Sequence, residues 1–177
     1  DPAETDDNHP QKNFNALIYS GDGTSSNAIT GNGFGPDLVW IKERGGTNLY
    51  SHSMHDSLRG RDKVIFAEDD REEDVSTSTQ DLTAFGTDGF TVGSNQETNS
   101  NGSTGTFISW CWRANAGTTA TNTSGTITST VQANQDTGMS IVQYTSTGKD
   151  GTVGHGLSKP LDWYFVKKAT DQDRDKL

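Results

Sequence analysis

Short apolar alternations, each cut off by a run of turn-forming residues, recur along the whole chain, and no longer pattern does. TFISWCWRA (106–114) is the clearest of them. In an extended chain Phe107, Ser109, Cys111 and Arg113 share one face, while Ile108, Trp110 and Trp112 share the other. NFNALIYS (13–20) sets Leu17 and Tyr19 against Ala16, Ile18 and Ser20 in the same way. Between such stretches stand GDGTSSN (21–27), GNGFGP (31–36), the Thr87-Asp88-Gly89 turn and NQETNSNGSTG (95–105), all rich in residues that end strands. No apolar period of 3.6 residues lasts three turns, which excludes a helical bundle. Strands are predicted over 13–20, 28–30, 37–43, 48–53, 63–66, twice within 82–94, and over 106–114, 126–133, 140–146 and 162–168. The expected fold is all-β, a sandwich of short strands packed sheet on sheet. Hydrophobic residues make up only 29% of the chain, so the core must be thin and the aromatic side chains are expected to fill it.

The chain also repeats itself. GPDLVWIKER (35–44) is echoed by KPLDWYFVKK (159–168), each with a proline, an aspartate, a hydrophobic run and a basic end. An offset of 125 residues sets Tyr19 on Tyr144 and Lys42 on Lys167. Strand faces then agree: Val39 and Ile41 match Tyr164 and Val166, while Leu38 and Trp40 match Trp163 and Phe165. A slip of one residue would exchange the faces. The predicted organisation is an arm at 1–12, a sandwich unit at 13–116, a linker at 117–125 and the first part of a second, repeated unit at 126–177. That second part has no counterpart of NLYSHS or FISWCWR, so a neighbour or further chain must complete its core.

The order FNALIYSGDGTSSNAITGNGFGPDLVWIKER, HDSLRG, LTAFGTDGFTVGSN, FISWCWRANAG and then GTITSTVQAN and GMSIVQYTSTGKDGTVGHGLSKP resembles a repeated domain of tailed-bacteriophage virion proteins, frequent in phages of marine bacteria. The likeness covers nearly everything after Lys12, and it implies that the β-sandwich unit is of the jelly-roll or lectin-like kind. It implies a structural role in a tail fibre, a tail-associated protein or a capsid appendage. It also implies homo-oligomeric packing, contact with other virion proteins, exposure on the particle surface after assembly in the host cytoplasm, and a part in host attachment. It carries over no binding or catalytic residue.

Charge and cysteine content narrow the classes further. Fourteen basic against 24 acidic residues give a net charge of −10, which disfavours nucleic acid as a partner. No apolar run is long enough to span a bilayer, so membrane insertion is not expected. The single cysteine, Cys111, excludes an internal disulfide and, between Trp110 and Trp112, reads as a buried, inert thiol. No segment reads as a signal peptide, and a start at Asp1 rather than Met fits a fragment or processed form.

Catalysis leaves no mark: there is no nucleophile elbow, zinc-protease helix or phosphate loop, and no enzymatic activity is expected. Two carboxylates from distant strands would serve a polysaccharide depolymerase, but nothing local singles out such a pair. His52 and His55 are spaced for one helix face, which in a strand sends them to opposite faces. His155 lies in a glycine turn. The charge run EDDREED (68–74) reads as a solvated loop. No cofactor is expected. Asp22 and Asp150 are the candidate calcium ligands, because their turns also offer backbone carbonyls; the Asp-Gly turn accounts for each without an ion. Sugar stacking on exposed aromatic rings is the one binding chemistry with support, and Tyr50, Trp163 and Tyr164 are its candidates. A carbohydrate-binding adhesin is therefore the alternative to a purely structural role, with host surface glycan as its partner.

Overall fold

The computed structural model describes residues 9–45, 50–68, 70–76, 79–100 and 105–170. A 3-10 turn, Pro10–Lys12, opens the fold where the end of an extended arm was expected; the His9 side chain caps it by accepting from the Gln11 amide. The strands are β1 (Phe14–Ser20), β2 (Asn27–Thr30), β3 (Leu38–Gly45), β4 (Ser53–Asp56), β5 (Lys63–Phe66), β6 (Asp74–Val75), β7 (Leu82–Phe85), β8 (Gly89–Val92), β9 (Thr106–Trp112), β10 (Ala120–Asn122), β11 (Ser129–Asn134) and β12 (Met139–Tyr144). One helical turn, α1 (Gln96–Asn99), lies within the loop expected at 95–105; the Asn95 side chain caps it by accepting from the Glu97 amide.

The architecture is the expected all-β sandwich. A six-stranded antiparallel sheet in the order β1-β9-β3-β4-β5-β6 faces a three-stranded sheet, β2-β8-β7. The alternation in β9 and β3 dictates what lies between them. Phe107 and Cys111 of β9 and Val39 and Ile41 of β3 point inward. They meet Ile29, Leu82, Phe90 and Val92 from the smaller sheet, with Tyr19 stacked on Phe107 at 5.2 Å between ring centroids. β2 and β8 approach so closely that a Cβ on Gly89 would lie 2.0 Å from the Ile29 carbonyl oxygen; glycine is obligatory there, and φ is +148°.

The tryptophans do not fill this core. Trp40, Trp110 and Trp112 alternate with the inward residues and so lie half-buried on the outer face of the large sheet. There Trp40 packs edge-on to Trp110 at 5.8 Å, and Phe14 against Trp112 at 5.1 Å. The thin core is closed instead by aliphatics and Phe, with buried polar residues at its margin.

Three predicted elements are displaced or missing. The strand expected at 48–53 is β4, which begins at Ser53; residues 48 and 49 lie outside those described. All four β4 residues are buried and three are polar, so apolar alternation could not reveal them. The linker expected at 117–125 contains β10, an exposed edge strand that contributes main-chain pairing to β11 and little side-chain burial. Residues 162–168 form no strand. Their echo, β3, is a strand because β9 and β4 pair with it on both sides. The 162–168 segment has no strand neighbour among the described residues, and its large apolar side chains stay in solvent rather than inward: Trp163 is 75%, Tyr164 72% and Val166 65% exposed. One main-chain hydrogen bond, from the Glu73 amide to the Ala169 carbonyl at 2.8 Å, ties its end to the body.

The β10-β11-β12 sheet is joined to the sandwich by polar contacts. Gln132 of β11 is fully buried and donates from Nε2 to Asp37 Oδ1 at 2.6 Å. Its Oε1 lies 3.0 Å from the Ser57 hydroxyl oxygen, whose one proton goes to the Asp37 carboxylate at the shorter distance.

Candidate functional site

Four loops converge at one end of the sandwich, where binding residues of such folds commonly sit. The Pro10–Lys12 turn, residues 33–37 before β3, the β7–β8 turn and residues 113–117 after β9 enclose a cleft of about 500 Å³. Its ionisable lining groups are Lys12, Asp37 and Arg113, with Phe34 and Phe85 as the aromatic surface. Glycines allow the loops to meet. A Cβ on Gly35 would come 2.8 Å from the Gly86 carbonyl oxygen, so a larger residue would part the two walls.

Asp37 holds this end together. It is 2% exposed and stands between Pro36 and the first residue of β3, Leu38. Its Oδ2 accepts from the amides of Ala114 at 2.8 Å and Ala116 at 3.0 Å. Its Oδ1 accepts from the Gly117 amide and the Ser57 hydroxyl, each at 2.8 Å, and from Gln132. Five donors thus surround one carboxylate, and its negative charge is spent on the loop after β9 and on β11. Arg113 differs. It is half-buried, its amide donates to the Asn13 carbonyl at 2.9 Å, and its guanidinium has no hydrogen-bond or ion-pair partner among the described residues. It also lines a second, smaller cleft of about 200 Å³ with Asn134 and Asp136.

The predicted site residues lie elsewhere. The Tyr50 hydroxyl donates to Gln96 Oε1 at 2.5 Å. Trp163 and Tyr164 stand in solvent on the extended segment beside Asp162, and neither cleft includes any of the three. Asp22 Oδ1 accepts from the Thr24 amide at 2.8 Å, the Thr24 hydroxyl at 2.9 Å and Asn99 Nδ2 at 3.0 Å. These bonds, the Thr24 amide foremost, hold its carboxyl below the ordinary aspartate range. Asp150 is exposed in its turn. No group of three or more His, Cys, Asp or Glu among the described residues is arranged to hold a metal ion. His52 Nδ1 accepts from Trp40 Nε1 at 3.0 Å, and His155 Nδ1 accepts from the Leu157 amide at 3.2 Å.

The charge run departs from the solvated loop expected of it. Glu73 is half-buried, pairing with Arg59 Nη1 at 2.9 Å and Lys63 Nζ at 3.1 Å. Arg59 Nε also meets Asp56 Oδ2 at 2.5 Å, and Nη2 donates to the Met54 carbonyl at 3.2 Å. Arg59 carried no mark in the sequence, because its partners come from separate turns and strands.

Two buried groups have strongly altered acidity. Burial, then the charge of Arg59, pushes the His55 imidazole down to about 3; the nearby Lys63 main chain, which makes no satisfactory hydrogen bond to the ring, opposes this weakly. Burial likewise raises the Cys111 thiol to about 12. At neutral pH the imidazole is unprotonated and the thiol intact, and both face the interior.

A family model described as a domain of unknown function (DUF7483) matches residues 9–176. No curated protein and no solved structure matches the chain.

Proposed function

The chain belongs to the DUF7483 family of domains of unknown function, and from that premise we propose that it is a structural module of a tailed-phage virion. In this reading a β-sandwich unit is joined to the start of a second, repeated one. It is carried on the particle surface in a tail fibre, a tail-associated protein or a capsid appendage. Its work is assembly: it packs against copies of itself and other virion proteins and contributes to host attachment.

The observation that carries this reading is the exposed run Leu161, Trp163, Tyr164, Phe165 and Val166. Five large apolar side chains within six residues, extended and unpaired, favour association in a free monomer. Their likeness to β3 supports a neighbour that supplies strand partners. The bond from Gln132 to Asp37 also supports tandem packing, because it fastens β11 to the start of β3.

Light scattering coupled to size exclusion, with antibody labelling of purified particles, tests the reading. The wild-type chain is expected above monomer mass. The double variant Trp163→Ser, Tyr164→Ser is expected as a monomer with unchanged melting, since neither side chain is buried. A chain that stays monomeric at every concentration and is absent from particles would sink it.

The adhesin reading is favoured by one observation of its own. Trp163 and Tyr164 present open aromatic faces next to the Asp162 carboxylate, a pairing suited to a sugar ring and its hydroxyls. Glycan-array binding lost on Trp163→Ala would support it, and binding that survives would refute it.

A further inference from the structure

We infer that the 500 Å³ cleft at the loop end binds a carboxylate-bearing saccharide, with the carboxylate on Arg113. The cleft falls in the size range of ordinary ligand sites. Asp37 is its only acidic lining residue among the described residues, and five protein donors already occupy that carboxylate. The cationic lining residues are Lys12, which has a partner of its own, and Arg113.

Arg113 supplies the second observation. A half-buried guanidinium normally finds an acceptor, because its five donors are costly to leave unmet. Here it has no protein acceptor among the described residues; Asp136, across the adjoining cleft, is not within ion-pair distance. A planar carboxylate matches the guanidinium fork in two parallel hydrogen bonds. The remaining lining fits a sugar rather than a bare anion. Phe85 offers a half-buried ring, the Gly35 and Thr87 amides have no acceptor among the described residues, and Thr87 adds a hydroxyl. Arg113 and Phe85 are recruited from strand ends far apart in the chain, which is why no local motif signals them.

The site stands on the cleft and not on the virion assignment. It shares a ligand class with the adhesin reading but none of its residues, so failure here leaves the mass and labelling tests above untouched.

The test titrates the full chain by calorimetry with a hexuronate trisaccharide, the matching neutral trisaccharide and a sulfated neutral trisaccharide. The hexuronate is expected to bind. Arg113→Gln should weaken it at least about tenfold, as loss of a charged hydrogen-bonding partner does. Arg113→Lys should fall between, because charge is kept and the fork is lost. Lys149→Gln, on an exposed turn, should bind as the wild type does. Unchanged melting of Arg113→Gln shows that the loss is one of binding. No heat at millimolar hexuronate, equal binding of the neutral or the sulfated trisaccharide, or wild-type affinity in Arg113→Gln would each overturn the assignment.

Discussion

Replacing Asp37 by asparagine tests the most connected side chain in the fold. The two are nearly isosteric, so the change is chemical. The carboxylate accepts two main-chain amides on Oδ2, and one main-chain amide, a hydroxyl and a side-chain amide on Oδ1. Asparagine must present its NH2 to one of these sets. If it faces Oδ2's partners, the Ala114 and Ala116 amides meet a donor. If it faces Oδ1's, the Gly117 amide does, while Ser57 can turn its hydroxyl and Gln132 can flip. Either the buried Ala114 amide together with the part-buried Ala116 amide, or the part-buried Gly117 amide, is therefore left unsatisfied, at up to about 1–3 kcal/mol each. The charge assistance on the surviving bonds is lost as well. A loss of about 2–5 kcal/mol is expected, against a total on the order of 5–15 kcal/mol for a domain. In thermal unfolding that is a fall of roughly 5–15 °C at this chain length. Hydrogen exchange locates the effect: the amides of 114–117 and β11 should lose protection before those of β9. Stability within about 0.5 kcal/mol of wild type, the range of an ordinary surface change, would refute the reasoning. So would a large loss with the 114–117 amides still protected.

Three further outcomes follow from buried groups. His55 is held neutral down to about 3 in the fold, whereas unfolded histidine titrates near 6.5. The unfolded chain therefore binds a proton that the folded chain refuses, and this residue lowers stability as pH falls from 6.5 toward 3, by about 2 kcal/mol at pH 5. Urea unfolding of His55→Leu should show that much less pH dependence, and an undiminished slope refutes the assignment. Arg59→Met leaves Asp56 without its charged partner beneath a side chain that is 8% exposed, and should cost about 3–5 kcal/mol in guanidinium unfolding. A cost under about 1 kcal/mol would mean the network is solvated. Cys111, buried and with its thiol raised to about 12, should resist thiol reagents in the native protein and react at the rate of unfolding. Rapid native labelling contradicts that.

The strands with strong alternation were legible in the sequence. β1, β2, β3, β5, β7, β8, β9, β11 and β12 lie within a few residues of where side-chain periodicity placed them. Those that failed share a cause. β4 is polar on both faces, and β10 buries almost nothing, so neither carries an apolar signal. The 162–168 segment carries the signal without a strand partner among the described residues. Of the candidate ligand residues, Trp163 and Tyr164 are exposed as stacking would need, yet they stand apart from the cleft lined by Phe85 and Arg113.

What the sequence by itself determined is local and one-dimensional: an all-β chain, a thin core, which residues share a face on each strong strand, and a β3-like stretch written twice. Periodicity two and turn residues suffice for that, because they act through neighbours along the chain. Tertiary structure decided everything that depends on groups far apart in sequence. It sent three tryptophans to the outer face, because Val39, Ile41, Phe107 and Cys111 on the opposite side already met the smaller sheet. It gathered donors from residues 57, 114, 116, 117 and 132 around Asp37. It made a strand of 38–45 and left 162–168 without a strand neighbour among the described residues, because a strand's hydrogen bonds belong as much to its neighbours as to itself.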